Sequence, residues 1–330
     1  MRSEMARTTL ITGGAGFIGS HVIEALVARG ESVVALDDLS TGRLENIAHL
    51  MGGNDVRFVE GTALDESLIA ELVENCDLVI HLAAAVGVRL IVERPVHTIE
   101  TNVKATEVVL AAAAQKGVPV ILASTSEVYG KSVDIPFNED ADISLGPTHT
   151  SRWAYACSKA LDEWLAFAYA LEKNVSVTIV RFFNTVGPRQ TGQYGMVLPT
   201  FAAQALRGEP ITVFGDGEQR RCFCHVSDTV EALLLLADGK AIGQVVNVGN
   251  NEEVSMMELA RRVKAATSSN SEIQLIPYAE AYAEGFEDMM RRVPDLQRLK
   301  DLTGFMPCRP LDTIIADVVA DQTKRMERGG

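Results

Sequence analysis

Tyr155 and Lys159 stand four residues apart in the string Tyr155-Ala156-Cys157-Ser158-Lys159, which puts a phenol and an ammonium on one face of a helix. A phenol with an ordinary pKa of about 10 is a poor base at neutral pH. Two positive neighbours, the lysine and an oxidised nicotinamide, would stabilise its phenolate. Such a pair could take the proton of an alcohol while hydride leaves the same carbon. By itself Tyr-x-x-x-Lys is a frequent accident on helices. Upstream, however, Ser124-Thr125-Ser126-Glu127 follows a strand-like run, where α/β enzymes place reactive groups. Its hydroxyls could bind the same alcohol, and Glu127 adds a carboxylate.

A second constellation gives the class of hydride acceptor. Thr12-Gly13-Gly14-Ala15-Gly16-Phe17-Ile18-Gly19 carries glycines at 13, 16 and 19 between a strand and a helix. These let the chain turn tightly, approach a pyrophosphate and pack the helix on the sheet, with the helix N-terminus facing the phosphates. Asp37 ends the next strand, 18 residues after Gly19, where a carboxylate binds a ribose diol. Asp38 follows, and a 2′-phosphate would meet two negative charges, so the site favours NAD over NADP. The competing structural reading is a βα turn with surface acids.

The elements that must position these groups follow from periodicity. Thr8–Thr12, Ser32–Leu36, Val56–Val59, Leu78–His81, Val120–Ala123 and Ser176–Arg181 read as buried strands. Phe17–Arg29, Thr98–Gln115 and Arg152–Glu172 read as helices, and Gly30 and Gly117 sit at cap positions. This alternation predicts an α/β, Rossmann-like, doubly wound parallel sheet. After Asn184, glycine and proline punctuate shorter elements, which suggests a smaller mixed α/β part for substrate. Gln244–Val248 reads as a strand rejoining the first sheet. The expected division is 1–184, joined by about 226–250, for the dinucleotide, and 185–225 with 251–330 for the substrate. Pro310 starts a last helix.

Composition bounds the function. The chain has 330 residues, 30 Lys plus Arg against 44 Asp plus Glu, and a formal charge of −14, which disfavours nucleic acid as a partner. Five scattered cysteines suggest reduced thiols in the cytoplasm. Cys222-x-Cys224 lacks a second pair or histidine cluster at zinc spacing, so no metal is expected. No apolar run approaches a membrane span, and residues 1–7 are too polar to open a signal peptide, so no membrane partner is expected.

Together these motifs resemble the extended short-chain dehydrogenase/reductases that act on nucleotide sugars. The resemblance runs from Gly13 to Arg291-Arg292-Val293-Pro294-Asp295 and includes Arg181-Phe182-Phe183-Asn184-Thr185-Val186-Gly187-Pro188-Arg189. It implies NAD as cofactor, held by Gly13, Gly16, Phe17, Ile18, Gly19, Asp37, Asp38, Leu82, Ala83 and Ser124, with Asn102, Tyr155 and Lys159 at the nicotinamide half. It implies a UDP-sugar held by Arg152, Asn184, Arg221 and Arg292; the planar guanidinium fork suits phosphate or carboxylate. The family usually carries an Asp after the third strand to contact adenine, whereas Thr62 stands there; Asp65 is a substitute or a helix cap. Relatives commonly dimerise through the helices that here contain Asn102 and Tyr155. The apolar stripe Leu161, Trp164, Leu165, Ala168 is such an interface or else core.

Thr125-Ser126-Glu127, Arg152-Trp153-Ala154-Tyr155, Gln219-Arg220-Arg221-Cys222-Phe223 and Gly285-Phe286-Glu287-Asp288 are similar to the UDP-glucuronate decarboxylases of this family. The resemblance implies oxidation at C4 with Tyr155 as base and Thr125 assisting, then loss of carbon dioxide from the 4-keto acid. Arg221 would bind the carboxylate and organise reprotonation, and Ser126 and Glu127 would lie near it. Glu127 would orient a water or destabilise the ground state. The product is UDP-xylose or the 4-keto-pentose. Epimerisation at C4, 4,6-dehydration, and an NAD-sensing regulator are the alternatives, and the intact Tyr155/Lys159 pair argues against the last. His225 reads as structural, Trp153 as core or interface, and His81 has no obvious partner.

Overall fold

The computed structural model describes residues 7–86, 94–192, 196–277, 280, 289 and 291–329. The Gly285–Asp288 string lies outside them. The first half places β1 (Thr8–Thr12), α1 (Phe17–Ala28), β2 (Ser32–Asp37), β3 (Val56–Glu60), α2 (Glu66–Glu74) and β4 (Leu78–His81) in succession. After these come α3 (Pro95–Lys116), β5 (Val120–Thr125), a 3-10 turn over Ser126–Tyr129, α4 (Arg152–Lys173) and β6 (Val177–Phe182). The second half adds β7 (Thr185–Val186), α5 (Val197–Arg207), β8 (Ile211–Phe214), β9 (Arg220–Cys222), β10 (Cys224–His225), α6 (Val226–Leu236) and β11 (Val245–Val248). It ends with β12 (Glu253–Ser255), α7 (Met256–Ala266), β13 (Ile273–Ile276), β14 (Arg291–Arg292), α8 (Gln297–Thr303) and α9 (Leu311–Gly329).

Seven strands form one parallel sheet in the order β11-β6-β5-β4-β1-β2-β3. The expected strand at 244–248 therefore does rejoin the sheet. Order reverses between β1 and β4, which opens the crevice where dinucleotides bind in such folds. Both faces are covered. Along β1 successive side chains enter opposite cores, Ile11 on the side of Val22, Ile23 and Leu233, Leu10 on the side of Ile69, Val109 and Ala166. A third core, with Leu198, Phe201, Ile211, Leu259 and Ile314, belongs to the later elements. There β9 lies between antiparallel β12 and parallel β14.

Local chemistry explains the boundaries. Pro95 occupies the first turn of α3, where its missing N–H costs nothing, so the helix begins earlier than Thr98. Gly117 closes it in the left-handed conformation at φ +70°. The Asp65 carboxylate accepts from the Ser67 and Leu68 amides at 3.0 Å each, so Asp65 is the cap of α2.

Helix α4 removes the core alternative for the outer part of its apolar stripe. Leu161 and Trp164 are 44% and 61% exposed, while Tyr155, Ser158, Lys159, Asp162 and Glu163 are buried. The inward face carries charge because each charged group meets a partner there; Leu161, Trp164 and Ala168 are left outside, while Leu165 packs partly buried against the core. Trp153 is buried beside Ala156 and Met289. None of the described helices is long and apolar enough to cross a membrane.

Candidate active site

The glycine loop joins β1 to α1 at the reversal point. A Cβ on Gly13, at φ +74°, would stand 3.0 Å from the Ala83 amide nitrogen, and one on Gly19 would stand 2.1 Å from the Gly13 carbonyl oxygen. Only glycine lets the loop, the first helical turn and the chain after β4 approach this closely. Helix α1 starts at Gly16 with no side-chain cap and no acid in its first turn, so its amides remain donors for an anion. Asp37 accepts from the Ala15 and Leu39 amides at 2.9 Å each. A carboxylate has about four lone-pair sites, which leaves capacity for a ribose diol. Burial nonetheless pushes the Asp37 carboxyl up. Asp38 is exposed and accepts from Ser40. These features fit a dinucleotide.

After β4, Leu82 N donates to Thr12 O at 3.1 Å and Ala83 N to Thr12 Oγ1 at 3.2 Å. The same Thr12 hydroxyl lies 2.7 Å from His81 Nδ1, a partner the sequence did not reveal. Burial, then the Lys159 charge, brings the His81 imidazole down to about 3. Asn102 uses its amide on structure: Oδ1 accepts from Ala85 N at 2.8 Å, and Nδ2 donates to Ala85 O and Ser158 Oγ at 3.3 Å each. It thereby clamps the segment carrying Leu82 and Ala83 to α4. Ser124 is likewise tied to structure: its hydroxyl donates to Glu163 in the core, which also accepts from Arg181, and its oxygen keeps acceptor capacity.

Tyr155 and Lys159 lie one turn apart on the buried face of α4, and the Thr125 hydroxyl at the end of β5 hydrogen-bonds the phenol oxygen. Thr125 Oγ1 accepts from Glu127 N at 3.2 Å, which leaves its own proton for the phenol. The expected lowering of the phenol's pKa is absent in the protein alone. Burial raises it, and the Glu127 and Asp162 carboxylates raise it further. Lys159 Nζ is engaged by Asp162 Oδ2 at 2.6 Å.

Glu127 sits in the 3-10 turn after β5 and ion-pairs with Arg152, three residues before Tyr155 on α4. Its other oxygen lies 3.4 Å from Arg292 Nη2. Strand pairing sets Arg221 of β9 directly beside Arg292 of β14. Burial alone would raise the Glu127 carboxyl, but Arg152 and Arg292, with Arg221 adding to them, hold it below the usual carboxylate range. It is therefore an anion in the resting site and has no proton to give. Ser126 Oγ is buried with no hydrogen-bond partner among the described residues. Asn184, at φ +22°, donates from Nδ2 to Cys222 O at 2.9 Å and ties the end of β6 to β9.

The two residues of the would-be metal motif are buried, and burial pushes the Cys222 and Cys224 thiols up to about 12 and about 11. Among the described residues no cluster of three His, Cys, Asp or Glu could hold a metal. His225 caps α6 by accepting from Ser227 N at 3.1 Å, and its Nε2 lies 3.2 Å from Asp317.

The chain is 43% identical over 304 residues to the UDP-N-acetyl-alpha-D-glucosaminuronate decarboxylase of Bacillus cytotoxicus, which covers 92% of this chain and 94% of that one. It is 38% identical over 298 residues to UDP-glucuronic acid decarboxylase 4 of Arabidopsis thaliana, covering 90% of this chain and 64% of the plant protein's length. Its fold matches the UDP-glucose 4-epimerase of Thermotoga maritima with UDP-glucose, at a TM-score of 0.87 and 30% identity, covering 97% and 99% of the two chains. It also matches the UDP-glucuronic acid 4-epimerase of Bacillus cereus with UDP-glucuronic acid and NAD, at 0.86 and 26%, covering 96% and 99%. The family model for the NAD dependent epimerase/dehydratase family matches residues 9–249. With its glycine loop after β1, Asp37 at the end of β2 and its Tyr155/Lys159 pair in place, this chain belongs to the NAD dependent epimerase/dehydratase family, and NAD is its cofactor.

Proposed function

We propose that this enzyme oxidises UDP-glucuronic acid at C4 and decarboxylates the resulting 4-keto acid. The observation that carries the reading is Glu127, kept ionised by Arg152 and Arg292 and set beside Thr125 and Tyr155. Three guanidiniums gathered next to the base suit a substrate that carries a carboxylate as well as a diphosphate. A 4,6-dehydratase needs a protonated acid where this site holds Ser126 and an ionised glutamate. The two relatives described above are named as decarboxylases, and each matches most of this chain.

Bound NAD supplies the hydride acceptor and a positive charge that favours the Tyr155 phenolate. Tyr155 takes the proton of the 4-hydroxyl, and Thr125 donates to the phenolate oxygen as it forms. The C4 ketone is then β to the C6 carboxylate, so the C5–C6 bond breaks and its electron pair enters an enolate. Tyr155, now protonated, and Thr125 donate to the enolate oxygen. Arg292 and Arg221 bind the carboxylate and organise a proton donor for C5. Glu127 holds Arg152 and Arg292 in place. Lys159 and Asn102 position the nicotinamide half, Asn102 through the backbone it clamps, while Gly13, Gly16, Phe17, Ile18 and Gly19 hold the pyrophosphate. Residues 1–184 with 226–250 form the nucleotide half and the remainder the sugar half.

The active form is a homodimer. Leu161 and Trp164 of α4 and Val96 and Ile99 of α3 expose apolar surface on two neighbouring helices, and a second copy would cover it. All five cysteines are free thiols, in keeping with a cytoplasmic location.

Incubation with UDP-glucuronate and NAD, followed by mass spectrometry and proton NMR, tests the assignment. Loss of carbon dioxide is expected, giving UDP-xylose where the hydride is returned to C4, or the 4-keto form with one equivalent of NADH where it is not. Conversion to the galacto epimer with unchanged mass would replace it by epimerisation. A second reading, a 2-acetamido uronate, is favoured by the 43% identical relative. The same assay with UDP-N-acetylglucosaminuronate separates the two.

A further inference from the structure

Lys159 has a buried anionic partner that the steps above do not use. Its Nζ lies 2.6 Å from Asp162 Oδ2, one turn further along α4, and the two side chains are 3% and 0% exposed. An aspartate inside a packed helix is costly unless its charge is matched, and an apolar residue would fill the same position without that cost. Asp162 uses one oxygen for Lys159, and its Oδ1 meets no hydrogen-bond partner among the described residues. The Thr106 hydroxyl of α3, itself buried, lies against this carboxylate.

The other charges around Lys159 are accounted for. Glu163 on α4 is matched by Arg181 of β6, and Glu127 by Arg152 and Arg292. From β4, His81 faces Lys159 as a neutral imidazole, and α3 contributes only the uncharged Thr106 and Asn102. The Lys159–Asp162 pair thus sums to zero on the floor of the site. An oxidised nicotinamide adds one positive charge to that sum; without Asp162 it would add to an uncompensated ammonium.

We propose that Asp162 is a positioning residue for the cofactor: it fixes Lys159 and supplies the counter-charge that lets a cationic nicotinamide bind beside a buried ammonium, so that the enzyme rests with its cofactor oxidised. A reaction whose first step removes hydride from the sugar requires that resting state. The inference rests on the NAD site and not on the identity of the sugar.

Binding is measured without sugar, so failure of the UDP-glucuronate assignment leaves this test intact. Calorimetric titration of wild type and Asp162→Asn with NAD+ and with NADH gives four dissociation constants. Loss of one nearby negative charge is expected to weaken NAD+ about tenfold while NADH changes less than about threefold. Asp162→Ser, with a smaller side chain, should show the same change in ratio. Equal weakening of both nucleotides, or an unchanged ratio, would overturn the proposal and leave Asp162 a packing residue. Failure of both variants to fold would count against it equally, because a carboxylate that serves the bound cofactor is dispensable to the apoprotein.

Discussion

Two buried glutamates flank the middle of the sheet's carboxyl edge, and they hold their arginines differently. Glu163 gives both oxygens to one guanidinium, Arg181 Nε at 2.9 Å and Nη2 at 2.7 Å, and accepts Ser124 as well. Arg181 also donates to Glu139 O and lies 4.7 Å over the Tyr129 ring. Helix α4, β5 and β6 are locked by this closed fork. Glu127 instead divides its oxygens between Arg152 at the start of α4 and Arg292 on β14, with Arg221 paired alongside. Those arginines come from elements far apart in sequence, and they converge beside Tyr155. A bidentate pair that ties a helix to the sheet is scaffold, whereas a carboxylate that gathers arginines from separate elements next to a base is the arrangement expected where a substrate anion binds.

The comparison can be broken most severely at the scaffold. Glu163→Gln leaves Arg181 buried without its counter-ion and should cost about 3–5 kcal/mol of stability in urea unfolding. The folded fraction should keep its affinity for NAD. Arg292→Gln is the counterpart at the site, with an expected fall of about 10²–10³-fold in kcat/KM for UDP-glucuronate, carried mainly by KM. Its affinity for UDP should move far less; an equal loss for both would make Arg292 a diphosphate ligand.

An effect confined to acid pH separates both clusters from a buried group held uncharged. His81 titrates near 6.5 when unfolded and at about 3 when folded. The unfolded chain therefore takes up the proton first. The stability His81 contributes is complete above pH ~6.5 and is lost as pH falls toward about 3, with a slope of up to ~1.4 kcal/mol per pH unit. Unfolding midpoints between those limits should fall less steeply in His81→Gln than in wild type.

Much of this was readable in the chain. The parallel sheet follows from β-branched runs of strand length, and the glycine loop and Asp37 from their spacing. Tyr155 and Lys159 on α4 and Thr125 and Glu127 after β5 do come together, as their positions in the strand–helix pattern suggest. What was not readable depends on contacts distant in sequence. Two-residue strands such as β14 carry no periodicity, so only the family resemblance grouped Arg292 with Arg221, and their side-by-side strand pairing was not legible. Motif membership alone could not show that Ser124 turns to Glu163 or that Asn102 is spent on Ala85 and Ser158. The stripe on α4 could not be divided between interface and core from periodicity, because here paired charges face inward and Leu161 and Trp164 face out. Asp162 went unnoticed for the same reason.

The most direct test asks whether the arginines around Glu127 read a carboxylate. In Tyr155→Phe, which should bind nucleotide sugars without turning them over, the dissociation constants of UDP-glucuronate and UDP-glucose can be compared by calorimetry with NAD present. The two ligands differ only at C6. Tighter binding of UDP-glucuronate by about tenfold or more, abolished by adding Arg292→Gln, is the predicted result. Equal affinity, or a preference for UDP-glucose, would contradict the assignment of this site to a uronic acid.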